Sequence, residues 1–443
     1  MQVRKSRVLA ALISLATAAT IALAGAPEAQ ADTPTPAHGK LIDSWSPQDI
    51  TSQPVAHLTS PMKSGAKRCR QLPANSPARK DGATTACLQI TDPSNSSKSV
   101  HSNRLNAAQS AAASCGDEAG NFYFSRHAYC LASTTITFTE YNRAKPEEIL
   151  GTGVLTISSN ATLSATSGQW QESVTVALSK TTDQVTELNV GLTAKCDASC
   201  TATAPNPWPG SQLLTQGQSV SGSVTFTATP GAGQVSNITT SYDLNVTQPG
   251  TTPINEDTPW SFPGQIRCDT TFANNTSTGC VIPAIRAQLV LPLSSYGAAA
   301  ATYGWAEQNM IDHWGSHDNP LQRLADDTTQ GANRTNTCGA GATRPFVTLP
   351  NNVTDDSCDE YPFAGTYQGG TNGGLCADIV PLLENGVWNF YQDPNAPAVT
   401  LNEPCIRGHV PLPQNQAAGG KLGSNNQTER ILDLEKFDVV ITE

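Results

Sequence analysis

The chain has 443 residues, a net charge of −11 and only 14% charged residues. That length exceeds one ordinary domain and suggests about two or three, while the acidic balance excludes a protein that grips nucleic acid tightly through a broad basic face. Low charge with abundant Ser, Thr, Asn and Gly points to an extracellular protein that relies on β-structure and cross-links.

In chain order, Arg4, Lys5 and Arg7 precede an apolar run from Val8 to about Ala24, and Ala29-Gln30-Ala31 places small residues where a signal peptidase reads. Residues 1–31 are therefore expected to be a signal peptide. No later stretch reaches the roughly 18–20 apolar residues of a membrane span, so a released, extracellular protein is expected. Twelve cysteines follow, an even number that an oxidising exterior favours pairing. They fall in sequential pairs, and local bridges such as Cys196 to Cys200 and Cys268 to Cys280 are expected. A zinc reading competes but lacks CxxC spacings with companion histidines.

Residues 32–115 are rich in Pro, Ser, Asn and Ala with little periodicity, and read as an irregular leader whose basic residues, among them Lys67, Arg68, Arg70 and Arg79, are solvated. Over 116–250 the pattern changes to period two, as in Thr134-Thr135-Ile136-Thr137-Phe138-Thr139 and Ser173-Val174-Thr175-Val176-Ala177-Leu178. Alternation of apolar residues with Thr or Ser marks half-buried antiparallel strands. Six or more of them between Gly, Asn and Pro turns predict a β-sandwich, a scaffold or binding platform with no catalytic grouping.

Residues 251–319, with Pro and Thr clusters and the pair Cys268 and Cys280, read as a connector ending in a short helix from about Ala298 to Asp312. His313 and His317 would share one face of a helix. Gly315 between them argues against that helix, no zincin pattern accompanies them, and the cluster with Asp312 and Asp318 reads as a helix terminus and turn.

Residues 320–443 hold the chemistry-bearing motifs. Asn333-Arg334 precedes Cys338; Cys358-Asp359-Glu360-Tyr361-Pro362-Phe363-Ala364 is followed by Gly369-Gly370; then come His409-Val410-Pro411-Leu412-Pro413-Gln414-Asn415 and Gly419-Gly420-Lys421. Acidic residues opening a strand-like apolar run can hold a divalent metal. In order and spacing this series resembles the NucA/NucB-type deoxyribonuclease family of secreted bacterial nucleases.

The resemblance implies a small α+β nuclease domain of the ββα-metal type, related in architecture to the HNH group. Asp359-Glu360 would lie on its first strand, His409 to Pro411 on its second, and Asn415 at the start of its helix. Phosphodiester hydrolysis needs an activated water and charge neutralisation at the phosphate, and one Mg²⁺ or Mn²⁺ supplies the latter. Hard cations choose oxygen ligands, so Asp359 and Asn415 are the expected metal ligands. Glu360 is expected to activate the water, with the two carboxylate roles open to exchange. Arg334 matches the family's arginine and suits a bidentate phosphate contact.

This sequence departs from the pattern at Gln368, where an acidic residue is usual, and at Gln416, where an arginine is. An insertion from Thr371 to about Cys405, with Trp388, Phe390 and Tyr391, would form a lid pinned by Cys376 to Cys405 or decorate the surface. From Pro320 onward seven Lys and Arg face fifteen Asp and Glu.

The fold expected is mixed: a central antiparallel β-sandwich plus a C-terminal HNH-like nuclease domain. The function expected is a secreted, metal-dependent endodeoxyribonuclease with little sequence preference. Its expected partners are DNA as substrate, an inhibitor protein and no membrane, in a monomer. The rival reading is an extracellular β-rich surface or matrix binding protein with a catalytically silent nuclease-like domain.

Overall fold

The structure is a computed structural model that describes residues 39–45, 58–62, 67–91, 115–116, 119–142, 145, 148–249, 258–272 and 276–443. The expected signal peptide, 1–31, lies outside the described residues.

The middle of the chain is β-structure, and its alternation is visible in the burial of single strands. Along Glu148–Ser164, side chains from Leu150 to Leu163 switch between the interior and the surface almost without exception. This strand lies between Ala128–Asn142 and Ser167–Asp183 in a nine-stranded sheet. A four-stranded sheet in the order Gln212–Thr215, Glu187–Cys196, Thr240–Thr247, Thr258–Ser261 covers one face. Ile157, Val176 and Phe226 of the first sheet share one core with Leu188, Val190 and Leu244 of the second. Cys69–Cys87 bridges register partners on paired strands, Cys115–Cys130 ties an irregular segment to the sheet, and Cys196–Cys200 closes the turn between the two sheets.

The C-terminal part has a second core built from elements scattered along the chain. Strand β1 (Leu41–Trp45), β2 (Ala287–Pro292), helix α1 (Leu293–Asn309), β3 (Leu321–Gln322), α2 (Asp327–Thr337), β4 (Asp356–Tyr361), β5 (Ala377–Glu384), β6 (Val387–Gln392), β7 (Ile406–Pro411), α3 (Leu412–Thr428) and β8 (Lys436–Thr442) follow in that order. A five-stranded sheet runs β1-β6-β5-β7-β4, and a three-stranded sheet runs β2-β8-β3. Helix α1 packs between the two sheets. Its run Ala298 to Ala301 is buried, and so are Tyr303 and Trp305 beside Leu289, Val439, Ile379 and Phe390. Small residues let the backbone approach both sheets, and the large rings then fill the space left over.

Three expectations are corrected here. The leader 32–115 contains described strands, and its β1 is the far edge of the C-terminal sheet: Trp45 is buried against Phe390, and Asp43 accepts a 2.9 Å hydrogen bond from the Trp305 indole. The stretch 251–319 is no connector. Its hairpin Ile266–Phe272 with Ser277–Val281 is closed by Cys268–Cys280, β2 pairs in parallel with β8 over Ala287 to Pro292, and α1 is the central helix. A boundary at 320 therefore cuts through a core. Finally, the insertion 371–405 is neither lid nor decoration: β5 and β6 extend the sheet, β5 runs parallel to β7, and Cys376–Cys405 closes the base of the loop. Residues 310–320, with His313 and His317, form turns beyond the end of α1, and His317 pairs with Asp438 at 3.1 Å.

Between the two cores lies a buried polar seam. Arg430 donates to both carboxylate oxygens of Asp269, and Arg126 and Arg267 each pair with Glu435, at 2.7 and 2.6 Å. Buried charges persist only when paired, so this seam fixes how the loop after α3 meets the hairpin at 266–281.

Candidate active site

Strand β4 is the outer strand of its sheet and pairs antiparallel with β7, Asp359 opposite Gly408 and Glu360 opposite Arg407. Helix α3 follows β7 directly and packs on both strands. Side chains alternate along a strand, so Ser357, Asp359 and Tyr361 face α1 and α3, whereas Asp356, Cys358 and Glu360 face the other way, toward α2.

On the inner face Asp359 is 4% exposed. Its two oxygens lie 2.9 and 2.7 Å from the Tyr303 hydroxyl of α1. Burial and then the neighbouring charge of Glu360 push its carboxyl well above the usual carboxylate range, against the pull of the Tyr303 hydrogen bond. Among the described residues no cationic side chain pairs with Asp359. Asn415 lies in the first turn of α3, on this same face. Its amide nitrogen donates to Ser357 Oγ at 3.1 Å and to the Cys358 carbonyl at 2.8 Å. Among the described residues no hydrogen bond engages its carbonyl oxygen Oδ1.

On the outer face Glu360 is half-buried. Its carboxyl is raised by burial and lowered by the nearby Arg334. Arg334 itself is exposed on α2 and makes no ion pair among the described residues; Asp326, a conceivable partner on the surface, instead caps α2 by accepting from the Thr329 amide at 2.7 Å. Helix α2 is fixed beside the strand by Cys338–Cys358 and by Asn333, Asn336 and Thr337, which donate to the carbonyls of Ala364, Gly370 and Thr371. Gly370 has φ +83° and passes so close to Asn333 that a Cβ would lie 2.2 Å from its Oδ1, which explains the glycine pair after Phe363-Ala364.

The four residues expected from the sequence thus divide into two pairs, Asp359 with Asn415 and Glu360 with Arg334, on opposite faces of one outer strand. His409 lies on Glu360's side but is fully buried. Its Nδ1 is 2.7 Å from Asp356 and its Nε2 3.4 Å from Asp393, with Phe346 tilted against the ring at 4.4 Å. Burial disfavours its charge, yet the hydrogen bonds to the two carboxylates win and raise its pKa. Gln368, in the place of an acidic residue, accepts from the Gln322 amide at 2.9 Å and so holds β3. The residue that sequence reasoning missed is Tyr303. An Ala-rich helix placed in a connector gives no local signal that one of its tyrosines reaches a carboxylate 56 positions later.

No group of three or more His, Cys, Asp and Glu placed to hold a metal ion occurs among the described residues. The oxygen donors present nevertheless fit a divalent cation of the magnesium kind, which keeps most of its waters and takes only one or two protein carboxylates. The fit rests on Asp359, a buried carboxylate with a like charge beside it and no cationic partner among the described residues.

The C-terminal part thus carries two acidic residues on an outer strand, paired with a strand that runs straight into a helix bearing an asparagine. Residues 310–388 match the family model Deoxyribonuclease NucA/NucB, and this region of the chain belongs to that family. The match takes in Arg334, Asp359 and Glu360; Tyr303 lies before it and Asn415 after it. No curated protein matches. Among solved structures, a crystal structure of a mutant Salmonella alpha-2-macroglobulin is similar over 34% of this chain and 10% of that one, at 10% identity and a TM-score of 0.18, too low to carry an argument.

Proposed function

We propose that the protein is a secreted deoxyribonuclease that cuts within DNA, with little sequence preference and with Mg²⁺ or Mn²⁺ as cofactor. The observation that carries this reading is the uncompensated buried carboxylate of Asp359, on the same face as Asn415 and inside the deoxyribonuclease family region.

Asp359 and the Asn415 carbonyl oxygen would hold the cation, which when bound neutralises charge on the phosphate and the leaving 3′ oxygen. Arg334, exposed and untied, presents its planar fork to a phosphate oxygen pair. Glu360, raised by burial, takes the proton of the attacking water as the bond from phosphorus to the 3′ oxygen breaks. Since Glu360 flanks β4 from the face opposite Asp359, the scissile phosphate sits across the outer edge of the strand.

The charge inventory supports low specificity. Of the seven cations after Pro320, Arg344 and Arg407 pair with Asp378, Arg430 pairs with Asp269, and Arg323 donates to the Ile431 carbonyl. Arg334, Lys421 and Lys436 remain for DNA, too few for a base-reading surface. Six disulfides, all between sequential cysteines, support an oxidising exterior. No helix among the described residues is long and apolar enough to cross a membrane.

Plasmid cleavage by the full chain tests the reading. Cleavage that requires Mg²⁺ or Mn²⁺, stops with EDTA and is lost in Asp359→Asn is the expected result. Glu360→Gln should lower turnover with Mn²⁺ affinity intact, and Asp359→Asn should lower the affinity; the opposite outcome exchanges the two roles. Intact plasmid with every divalent ion would refute the activity.

A further inference from the structure

We propose that Tyr303 of α1 is the positioning residue for Asp359: its hydroxyl fixes the carboxylate in the one orientation that serves the cation. The proposal rests on the nuclease reading above and reaches outside the family-matched stretch, since Tyr303 precedes residue 310.

Three features make Tyr303 a fixed device instead of an incidental contact. Its hydroxyl lies within 2.9 Å of both Asp359 oxygens, so one phenolic proton is shared across the carboxylate and holds its plane. The ring is immobile: it is 2% exposed, stacks on Tyr361 at 5.4 Å and meets the edge of Phe363 at 4.8 Å. Tyr361 is itself held, its hydroxyl donating to the Trp314 carbonyl at 2.7 Å. The anchor is therefore a stacked pair, Tyr303 on Tyr361, closed edge-on by Phe363, with Asp359 at its polar end.

The neighbouring strand is also packed tightly on α1: a Cβ at Gly408, the residue paired with Asp359, would lie 2.7 Å from Thr302 Oγ1. Without the phenol, Asp359 would keep its burial but lose the only side chain that hydrogen-bonds it among the described residues. A carboxylate free to rotate pre-orders its ligand less well, and partners of this kind typically change metal affinity or activity by about 10–100-fold.

The experiment is Mn²⁺ titration, followed calorimetrically and by electron paramagnetic resonance, on the full chain and on Tyr303→Phe, Asp359→Asn and the double variant. Tyr303→Phe keeps the ring stack and removes one oxygen. It should weaken Mn²⁺ binding by about 10–100-fold with a native far-UV circular dichroism spectrum, and add nothing to the loss in Asp359→Asn. Wild-type affinity in Tyr303→Phe, beside weakened binding in Asp359→Asn, would overturn the positioning role alone. If Asp359→Asn also binds Mn²⁺ like wild type, the cation reading and this proposal both fail. If Tyr303→Phe loses unfolding temperature, Tyr303→His is the second variant: it can donate to the carboxylate, and its failure to recover affinity above Tyr303→Phe overturns the proposal.

Discussion

Arg430, in the loop just after α3, has its guanidinium clasped by Asp269 of the β-rich half, and both side chains are buried. Arg430 also donates to the backbone carbonyls of Ala165, Ser277 and Asp269. Removing one partner leaves an uncompensated buried charge, which typically costs about 3–5 kcal/mol. Asp269→Ala is therefore expected to lower unfolding free energy by that order in urea titration, whereas replacing both residues with apolar ones of similar size should cost less than the sum of the single changes.

Residues 320–443 alone should not fold. That piece lacks β1, β2 and α1, and so loses Trp45, Leu289, Leu291, Tyr303 and Trp305 from the second core. Each lost aromatic is worth about 3–5 kcal/mol, against a total domain stability of about 5–15 kcal/mol. The expected outcome is an absent cooperative transition by circular dichroism, with no plasmid cleavage, while the full chain shows both; a cooperative fold in the fragment would contradict the shared core.

Cys338–Cys358 joins the end of α2 to the residue before Asp359 and closes a sequence separation of 20. A bridge over a loop of this size is worth about 3 kcal/mol on the chain-entropy account. Cys338→Ser with Cys358→Ser, or strong reductant, should lower the unfolding temperature and reduce cleavage, because Arg334 and Glu360 are held together through this bond. Unchanged turnover under full reduction would show that the hydrogen bonds of Asn333, Asn336 and Thr337 suffice.

Arg334 is the one arginine of the C-terminal part with no internal partner among the described residues. A hydrogen bond to a charged group contributes about 1.5–3 kcal/mol, so Arg334→Ala should lower kcat/KM by about 10–150-fold, with little rescue by Lys. With so few cations left for phosphates, the slope of log affinity against log salt should be shallow, about −1 to −3. A slope as steep as a basic DNA binder's would mean that cations of the β-rich half also contact DNA.

His409, Asp393 and Glu307 contribute to the pH dependence of stability, in addition to the raised carboxyls of Asp359 and Glu360. His409 has its pKa raised in the folded chain above 6.5, so its contribution is complete below that value and lost as pH rises through the folded value. Asp393 is depressed below 3.8, the His409 hydrogen bond outweighing burial, so its contribution is present above 3.8 and lost as pH falls. Glu307, raised by burial and then by Asp438 to about 8, folds best protonated, and stability declines as pH rises toward that value. Thermal unfolding should therefore show a maximum at mildly acidic pH and a decline toward pH ~8.5. His409→Gln should lower stability most at pH ~5.5 and flatten the decline. An equal loss at both pH values would show that packing against Phe346, not charge, is what His409 contributes.

The period-two alternation from Thr134 onward announced the β-rich middle because each strand's burial is decided within a few residues of its own sequence. The even, sequential cysteines were legible for the same reason: all six bridges close short loops. The order of Arg334, Asp359-Glu360 and Asn415 pointed to the nuclease region, now matched over 310–388. Strand β1 was not legible, since a five-residue strand whose partner β6 lies more than 300 positions away carries no local mark of that pairing.

The sequence by itself determined local things: which stretches alternate, which cysteines are neighbours, which acidic and amide side chains stand beside one another in order. Only the tertiary structure decided that Asp359 and Glu360, adjacent in the chain, look toward different helices, and that Tyr303, far upstream, closes on one of them. The physical reason is that strand alternation sends neighbours apart while packing brings distant residues together, and packing is set by the whole core.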